Sequence, residues 1–230
     1  EEIKYIEYSY TQLFDMIEAE EDTIFQLKNA KIIPDVKTDG DFLMGDSTGI
    51  KSFFDFFKPI SSHTKIIHKE LLLENVFFGA GVYNSNTFYG LPRIIFEEKV
   101  TFRNCPQIVF VDSKFKKGLI INLNSKPYYN QTGEDGYLLG IELFRNEIQR
   151  EFHIDNSTNE GRYIRFLIHN NEVNLDSFGR LYFGNYDNFD FRGNKIEGKE
   201  ITISSEGEEL FDLSNNTFNT AVTSLNLNNK

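Results

Sequence analysis

The chain has 230 residues, 40% of them hydrophobic, and a net charge of −11, which is enough for one domain with a continuous core. The acidic balance excludes sequence-independent binding to nucleic acid, which requires phosphate neutralisation. No run of about 18 apolar residues offers a membrane span, and the single Cys105 excludes an internal disulfide framework.

Taken in order, residues 1–22 carry Tyr10, Leu13, Phe14 and Ile17 at i, i+3, i+4 spacing, followed by an acidic run to Asp22. This pattern predicts a short amphipathic helix. From residue 23 onward a different rule holds. Apolar residues stand five and three places before a slot, and another stands two places after it. Phe25, Leu27 and Ile32 surround Ala30; Leu71, Leu73 and Phe78 surround Val76; Ile108, Phe110 and Phe115 surround Ser113. In the second half the slot is Asn146, Asn171, Asn194 and Asn216, as in Phe189-Asp-Phe191-Arg-Gly-Asn194-Lys-Ile196. Those asparagines are separated by 25, 23 and 22 residues. A period of this size marks a stacked repeat. Phe189 and Phe191 alternate with Asp190, the period of a strand with one buried face. Asn tolerates the left-handed backbone that a bend demands. Each winding of the chain is therefore expected to hold two or three short strands, with its corner at Asn146, Asn171, Asn194 and Asn216. A leucine-rich solenoid ranks second, because no sustained Leu-x-x-Leu-x-Leu pattern is present.

The first half is interrupted. All five prolines lie between Pro34 and Pro127, and insertions are expected near 34–49, 51–63, 79–91 and 126–136. The segment 51–63 carries Phe53 and Phe54, and the polar segment 126–136 carries Tyr128 and Tyr129. Charge is uneven: residues 1–60 hold 13 acids against 6 bases, 61–130 hold 5 against 9, and 131–230 hold 17 against 9. The 23 Phe residues suit repeated ring stacking within a narrow coil, or a biased genome.

Phe189–Ile196 and Phe211–Phe218 resemble rungs of right-handed parallel β-helices, the pectin-lyase-like group. Val100–Cys105 with Ile108–Phe115 is similar to degenerate pentapeptide-repeat helices. The resemblance covers about residues 66–227. It implies an all-β, right-handed parallel β-helix solenoid over 23–230, with residues 1–22 as its N-terminal helical cap. An Asn at a tight bend that stacks from coil to coil is also implied by it.

The resemblance does not carry a reaction. Pectin-lyase-like enzymes need clustered acids, and the candidates here are Asp187 and Asp190. Asp190 alternates with Phe189 and Phe191, so it is expected to face solvent as a surface ladder with Asp212. The acidic run Asp35, Asp39, Asp41, Asp46 misses calcium-loop spacing. His63, His68, His153 and His169 are scattered, and no metal or cofactor is expected. Cys105 reads as a core thiol. Arg145, Arg150, Arg162 and Arg165 interleave with Glu142, Glu147, Glu151 and Glu160, the pattern of exposed ion-pair ladders. These features lean away from an enzyme. The first functional expectation is a non-catalytic binding module, part of a larger protein. It would recognise a protein partner or a further domain of its own chain through Phe53, Phe54, Tyr128 and Tyr129. The alternative is a carbohydrate-active or glycan-binding protein acting on a polysaccharide. The third is an acidic inhibitor imitating duplex DNA, against which the basic middle segment counts. The lone cysteine and the lack of a visible leader point to the cytoplasm, or to secretion if a leader is removed.

Overall fold

The computed structural model describes residues 4–33, 35–39, 64–78, 83–84, 87–88, 93–123, 140–157, 163–184, 186–205 and 211–227. The first half contains β1 (Ile6–Tyr8), α1 (Tyr10–Ala19), β2 (Ile24–Ile32), α2 (Val36–Asp39), β3 (Thr64–Ile67), β4 (Glu70–Phe78), β5 (Tyr83–Asn84), β6 (Thr87–Phe88), β7 (Arg93–Phe96), β8 (Val100–Arg103) and β9 (Gln107–Val111). It is followed by β10 (Lys114–Phe115), β11 (Leu119–Asn122), β12 (Gly140–Phe144), β13 (Glu147–Arg150), β14 (Phe152–Asn156), β15 (Tyr163–His169), β16 (Glu172–Phe183), β17 (Tyr186–Arg192), β18 (Lys195–Ser205), β19 (Phe211–Asp212) and β20 (Thr217–Leu227). Among the described residues, 18 strands join one sheet. Its pairings are parallel, whereas β5 and β6 form a separate antiparallel hairpin.

The pairings resolve into three stacked faces. Face A runs β1, residues 30–32 of β2, residues 76–78 of β4, β9, β12, β15, β17 and β19. Face B runs β3, β7, β10, β13 and the first halves of β16, β18 and β20. Face C runs residues 24–28, residues 70–74, β8, β11, β14 and the second halves of β16, β18 and β20. The chain visits B, then C, then A, and returns to B one strand spacing along. Each such circuit is a rung.

Alternation sends one residue in two to the interior. The inward column of face B is Ile67, Phe96, Phe115, Ile148, Val173, Ile196 and Phe218, in register from rung to rung. All but Phe218 are at most 3% exposed. The phenylalanines stack only in part. Phe96 and Phe115 are parallel at 4.8 Å, but Phe78–Phe102, Phe96–Phe110 and Phe110–Phe115 meet edge to face at 84–88°. Side chains from different faces converge on the interior, so the rings fill it at an angle.

The corner between faces A and B is built from two adjacent residues. Asn146, Asn171 and Asn194 are buried, and Asn216 is half-buried. Asn146 N–H donates to Asn171 Oδ1 (2.8 Å), Asn171 N–H to Asn194 Oδ1 (3.0 Å) and Asn194 N–H to Asn216 Oδ1 (2.8 Å). Each Nδ2 donates back to a carbonyl: Phe110, Leu143, Ile168 and Phe191 in turn. Ser113 heads the ladder, its N–H donating to Asn146 Oδ1 at 2.9 Å. These asparagines are not themselves the left-handed residues, as the sequence reading had it. Positive φ falls one place earlier, at Asp112, Arg145, Asn170, Gly193 and Asn215. The left-handed residue turns the chain, and the Asn after it satisfies the backbone groups that the turn exposes.

Ala30 and Val76 occupy a different corner, between faces C and A, where Asn29, Asn75 and Asn104 are left-handed. There Cys105 stands in the place of the ladder asparagine. Val76 N–H donates to Cys105 Sγ, and Sγ–H donates to the Leu73 carbonyl, both at 3.4 Å. The interval from Val76 to Ser113 is therefore not one repeat unit. It crosses from one corner to the other, because the same apolar spacing serves both.

At the N-terminus, Ser9 and Gln12 form a reciprocal capping box on α1, and Tyr10, Leu13, Phe14 and Ile17 join the core. The expected helical cap of 1–22 also contains β1, which pairs with residues 30–32. The acidic run after Pro34 holds the short α2. Its Asp39, fully buried, accepts from Tyr10 N (3.0 Å), Thr11 N (2.7 Å) and Asp35 N (2.9 Å). One acid of that run thus serves the helix N-terminus. Among the described residues no helix is long and apolar enough to cross a membrane.

Candidate functional site

The three edges of the fold are not equivalent. Between faces B and C the chain passes in short links: 68–69, 97–99, 116–118, 151, 176–179 and 199–200. Apart from 9–23, which carries α1 from face A to face C, every longer connection crosses an edge of face A. Residues 33–63 and 79–92 cross from A to B, and 123–139, 157–162 and 206–210 cross from C to A. Phe53, Phe54, Tyr128 and Tyr129, the expected contact residues, lie outside the described residues. The connections that carry them are nonetheless anchored at the borders of face A.

The outward side of face A is also chemically distinctive. Phe77, Gln107, Val109, Glu142 and Phe144 alternate with core residues and therefore point outward, yet each is at most 7% exposed. Further along the face the register aligns Glu142, Leu167, Asp190 and Asp212 in one column, and Phe144, His169 and Arg192 in the next. Arg165 pairs with Glu142. Asp190 Oδ1 is 3.0 Å from His169 Nε2 and 2.6 Å from Arg192 Nε, and Arg192 Nε is 3.7 Å from Asp212 Oδ2. The His169 ring meets Phe144 edge to face at 5.2 Å.

Burial raises the Glu142 carboxyl above the usual carboxylate range, and Arg165 opposes that rise. Burial lowers the His169 imidazole, against the pull of Asp190. The Ser214 backbone N–H holds Asp212 low. Two buried polar atoms of this face, Gln107 Oε1 and Arg165 Nε, have no hydrogen-bond partner, whereas His169 Nε2 and Asp190 Oδ1 face each other. Buried polar atoms are nearly always satisfied, so Gln107 Oε1 and Arg165 Nε are exceptions on this face.

Asp190 does point outward in register with Asp212, but its side chain is 16% exposed and sits in an ion cluster. It is not a freely solvated rung. The Asp187 side chain, Arg162, Glu160 and His63 lie outside the described residues. His68 is exposed, and His153 is half-buried on face C. Of the interleaved set, Arg165 pairs with Glu142 between rungs, whereas Arg145 pairs with Asp112, Arg150 with Asp176, Lys99 with Glu151 and Lys114 with Glu147. Among the described residues no group of three His, Cys, Asp or Glu could hold a metal. Cys105 is fully buried, with its thiol pushed up to about 12 by burial. His169 was not singled out as a site residue by sequence, since only register brings it beside Asp190. No family model matches the chain, and no curated protein or solved structure does so either.

Proposed function

We propose that the chain is a right-handed parallel β-helix that works as a non-catalytic recognition module, with face A and its bordering connections as the binding surface. The right hand follows from the strong preference of parallel crossovers for that sense. The observation that carries the function is that, beyond α1, every long connection crosses one of the two edges of face A. Repeat folds place their insertions on the binding face. The ion cluster of His169, Asp190, Arg192 and Asp212 gives that surface polar groups for a partner to meet. The partner is a protein or a further domain of the same chain, contacted by Phe53, Phe54, Tyr128 and Tyr129. A photo-cross-linking residue at Leu167 on face A should capture the partner in cells, and the same residue at Gln149 on face B or Thr202 on face C should not. Equal capture from all three positions would refute the assignment.

A second reading, action on a polysaccharide, has one observation in its favour. Glu142, whose carboxyl burial raises, and Asp190 stand two rungs apart in one outward column, about 10 Å at a normal strand spacing. Inverting glycosidases use two carboxyls at roughly this separation. Leu167 stands between the two, and Arg165 occupies Glu142, which disfavours this reading. Turnover of an acidic polysaccharide that disappears in Glu142→Gln would establish it over the first.

A further inference from the structure

The far end of the stack is an open sheet edge. β20 pairs with β18 along its length, and among the described residues no strand pairs with its other side. Thr217 N–H donates back to the Asn194 carbonyl at 2.8 Å, so alternation turns the N–H and C=O of Phe218 away from β18. On face C the inward positions point onward, as Leu119 N–H does to the Glu151 carbonyl of the next rung at 2.9 Å. Thr223, Leu225 and Leu227 hold those positions in β20. Four residues therefore direct backbone donors and acceptors off the end of the fold. Phe218 is half-buried there, whereas its column in the earlier rungs is at most 3% exposed.

Folded proteins protect such an edge with charge, proline or a covering element. From Leu213 to Asn229 there is no charged residue and no proline, whereas β18 carries Lys195, Glu197, Lys199 and Glu200. Residues 131–230 hold 17 acids against 9 bases, so two copies approaching sideways in this half meet like charge. At the uncharged end they do not. The last circuit, 211–227, is 17 residues long. It presents about 56 Å of strand about 10 Å deep. Two such ends bury about 1,100 Å² together, above the roughly 1,000 Å² that a specific contact needs. A two-fold axis across the end makes the facing strands antiparallel. Centred on Leu225, that pairing sets Thr223 opposite Leu227 of the copy and uses all three onward-pointing residues of face C.

We propose that β20 pairs antiparallel with β20 of a second copy of this chain, joining two coils end to end. The outward sides of faces A, B and C stay free, and the pairing does not rest on the role given to face A.

Sedimentation equilibrium of the full chain should show a monomer–dimer equilibrium. Thr223→Pro removes an N–H aimed at the second copy and none aimed at β18, the one place where an edge strand accepts proline. It should weaken the dimer about tenfold, through one backbone bond lost per copy, and leave the circular dichroism spectrum unchanged. Ser224 and Asn226 stand in the outward columns, in register with Thr202 and Ser204. Across the axis they form a non-hydrogen-bonded pair with Cα atoms about 4.5 Å apart, within disulfide reach. Oxidising a mixture of Ser224→Cys and Asn226→Cys chains should give a cross-linked dimer, and either variant alone should not. Cys105 is fully buried and stays out of that reaction. The cross-link decides the matter if Thr223→Pro fails to fold. A chain that is monomeric at sub-millimolar concentration, a dimer undiminished in Thr223→Pro, or a mixture that cross-links no better than either variant alone would each overturn the proposal.

Discussion

Asn171→Ala isolates what the corner ladder contributes. Asn171 Oδ1 accepts from Asn146 N–H at 2.8 Å and from Asn146 Nδ2 at 3.1 Å. Its Nδ2 donates to the Leu143 carbonyl and to Asn194 Oδ1, both at 2.9 Å. Truncation leaves Asn146 N–H and the Leu143 carbonyl buried without partners, at about 1–3 kcal/mol each. A loss of about 4 kcal/mol is expected. Asn216→Ala removes a similar set of bonds, but at a half-exposed end where water can substitute, so about 1 kcal/mol is expected. Stacked folds need not unfold in one step, so urea titration followed by circular dichroism should be joined to amide hydrogen exchange. The Asn146 amide should lose protection in Asn171→Ala while amides of α1 keep theirs. Equal costs for the two variants, or an Asn146 amide still protected, would refute the ladder as a source of stability.

Three further outcomes follow from the same geometry. Asp39→Ala should destabilise by about 2 kcal/mol and expose α1 to proteolysis first, since three backbone donors lose one acceptor; limited proteolysis with mass mapping checks it. His169 and His153 are both held below their ordinary value of 6.5 by burial. The folded chain therefore binds fewer protons than the unfolded one below that value. The histidine contribution should be level above about pH 6.5 and fall as pH drops below it, and urea midpoints for His169→Gln and His153→Gln should show a shallower fall. Cys105 should react with a thiol reagent only on global unfolding, because its thiol is buried and raised; labelling at the rate of exposed thiols in native buffer would contradict this.

What could be read from the residues was the period and the inward columns. Phe189, Phe191, Asn194 and Ile196 report a strand, a corner and a strand without any contact from elsewhere. Which corner was not legible, because Val76 and Asn146 sit in the same apolar spacing on different edges of the fold. The left-handed residue was missed for a related reason. Asp112, Arg145, Asn170, Gly193 and Asn215 share a backbone conformation but not a side chain, and Arg145 is held there by its pairing with Asp112 rather than by propensity. Asp190 was placed on the outward side by alternation alone. Its neighbours His169 and Arg192 could not be, since His169 comes from the preceding rung and only strand register brings it alongside.

The two tight corners are not used at random. In the early rungs the long connections, 33–63 and 79–92, cross from face A to face B, so that edge cannot carry a continuous ladder. The turn held by Asn29, Asn75 and Asn104 lies on the opposite edge, from C to A. In the later rungs the long connections cross from C to A, and the ladder from Ser113 to Asn216 holds the edge from A to B. The exchange takes place on β9, bounded by Cys105 at one end and Ser113 at the other. Each of these residues makes the ladder contact of its own corner. A parallel strand needs at least one fixed edge to hold its register against slippage, and face A always has one. The fold can therefore hang long connections on first one border of face A and then the other while keeping that face in register.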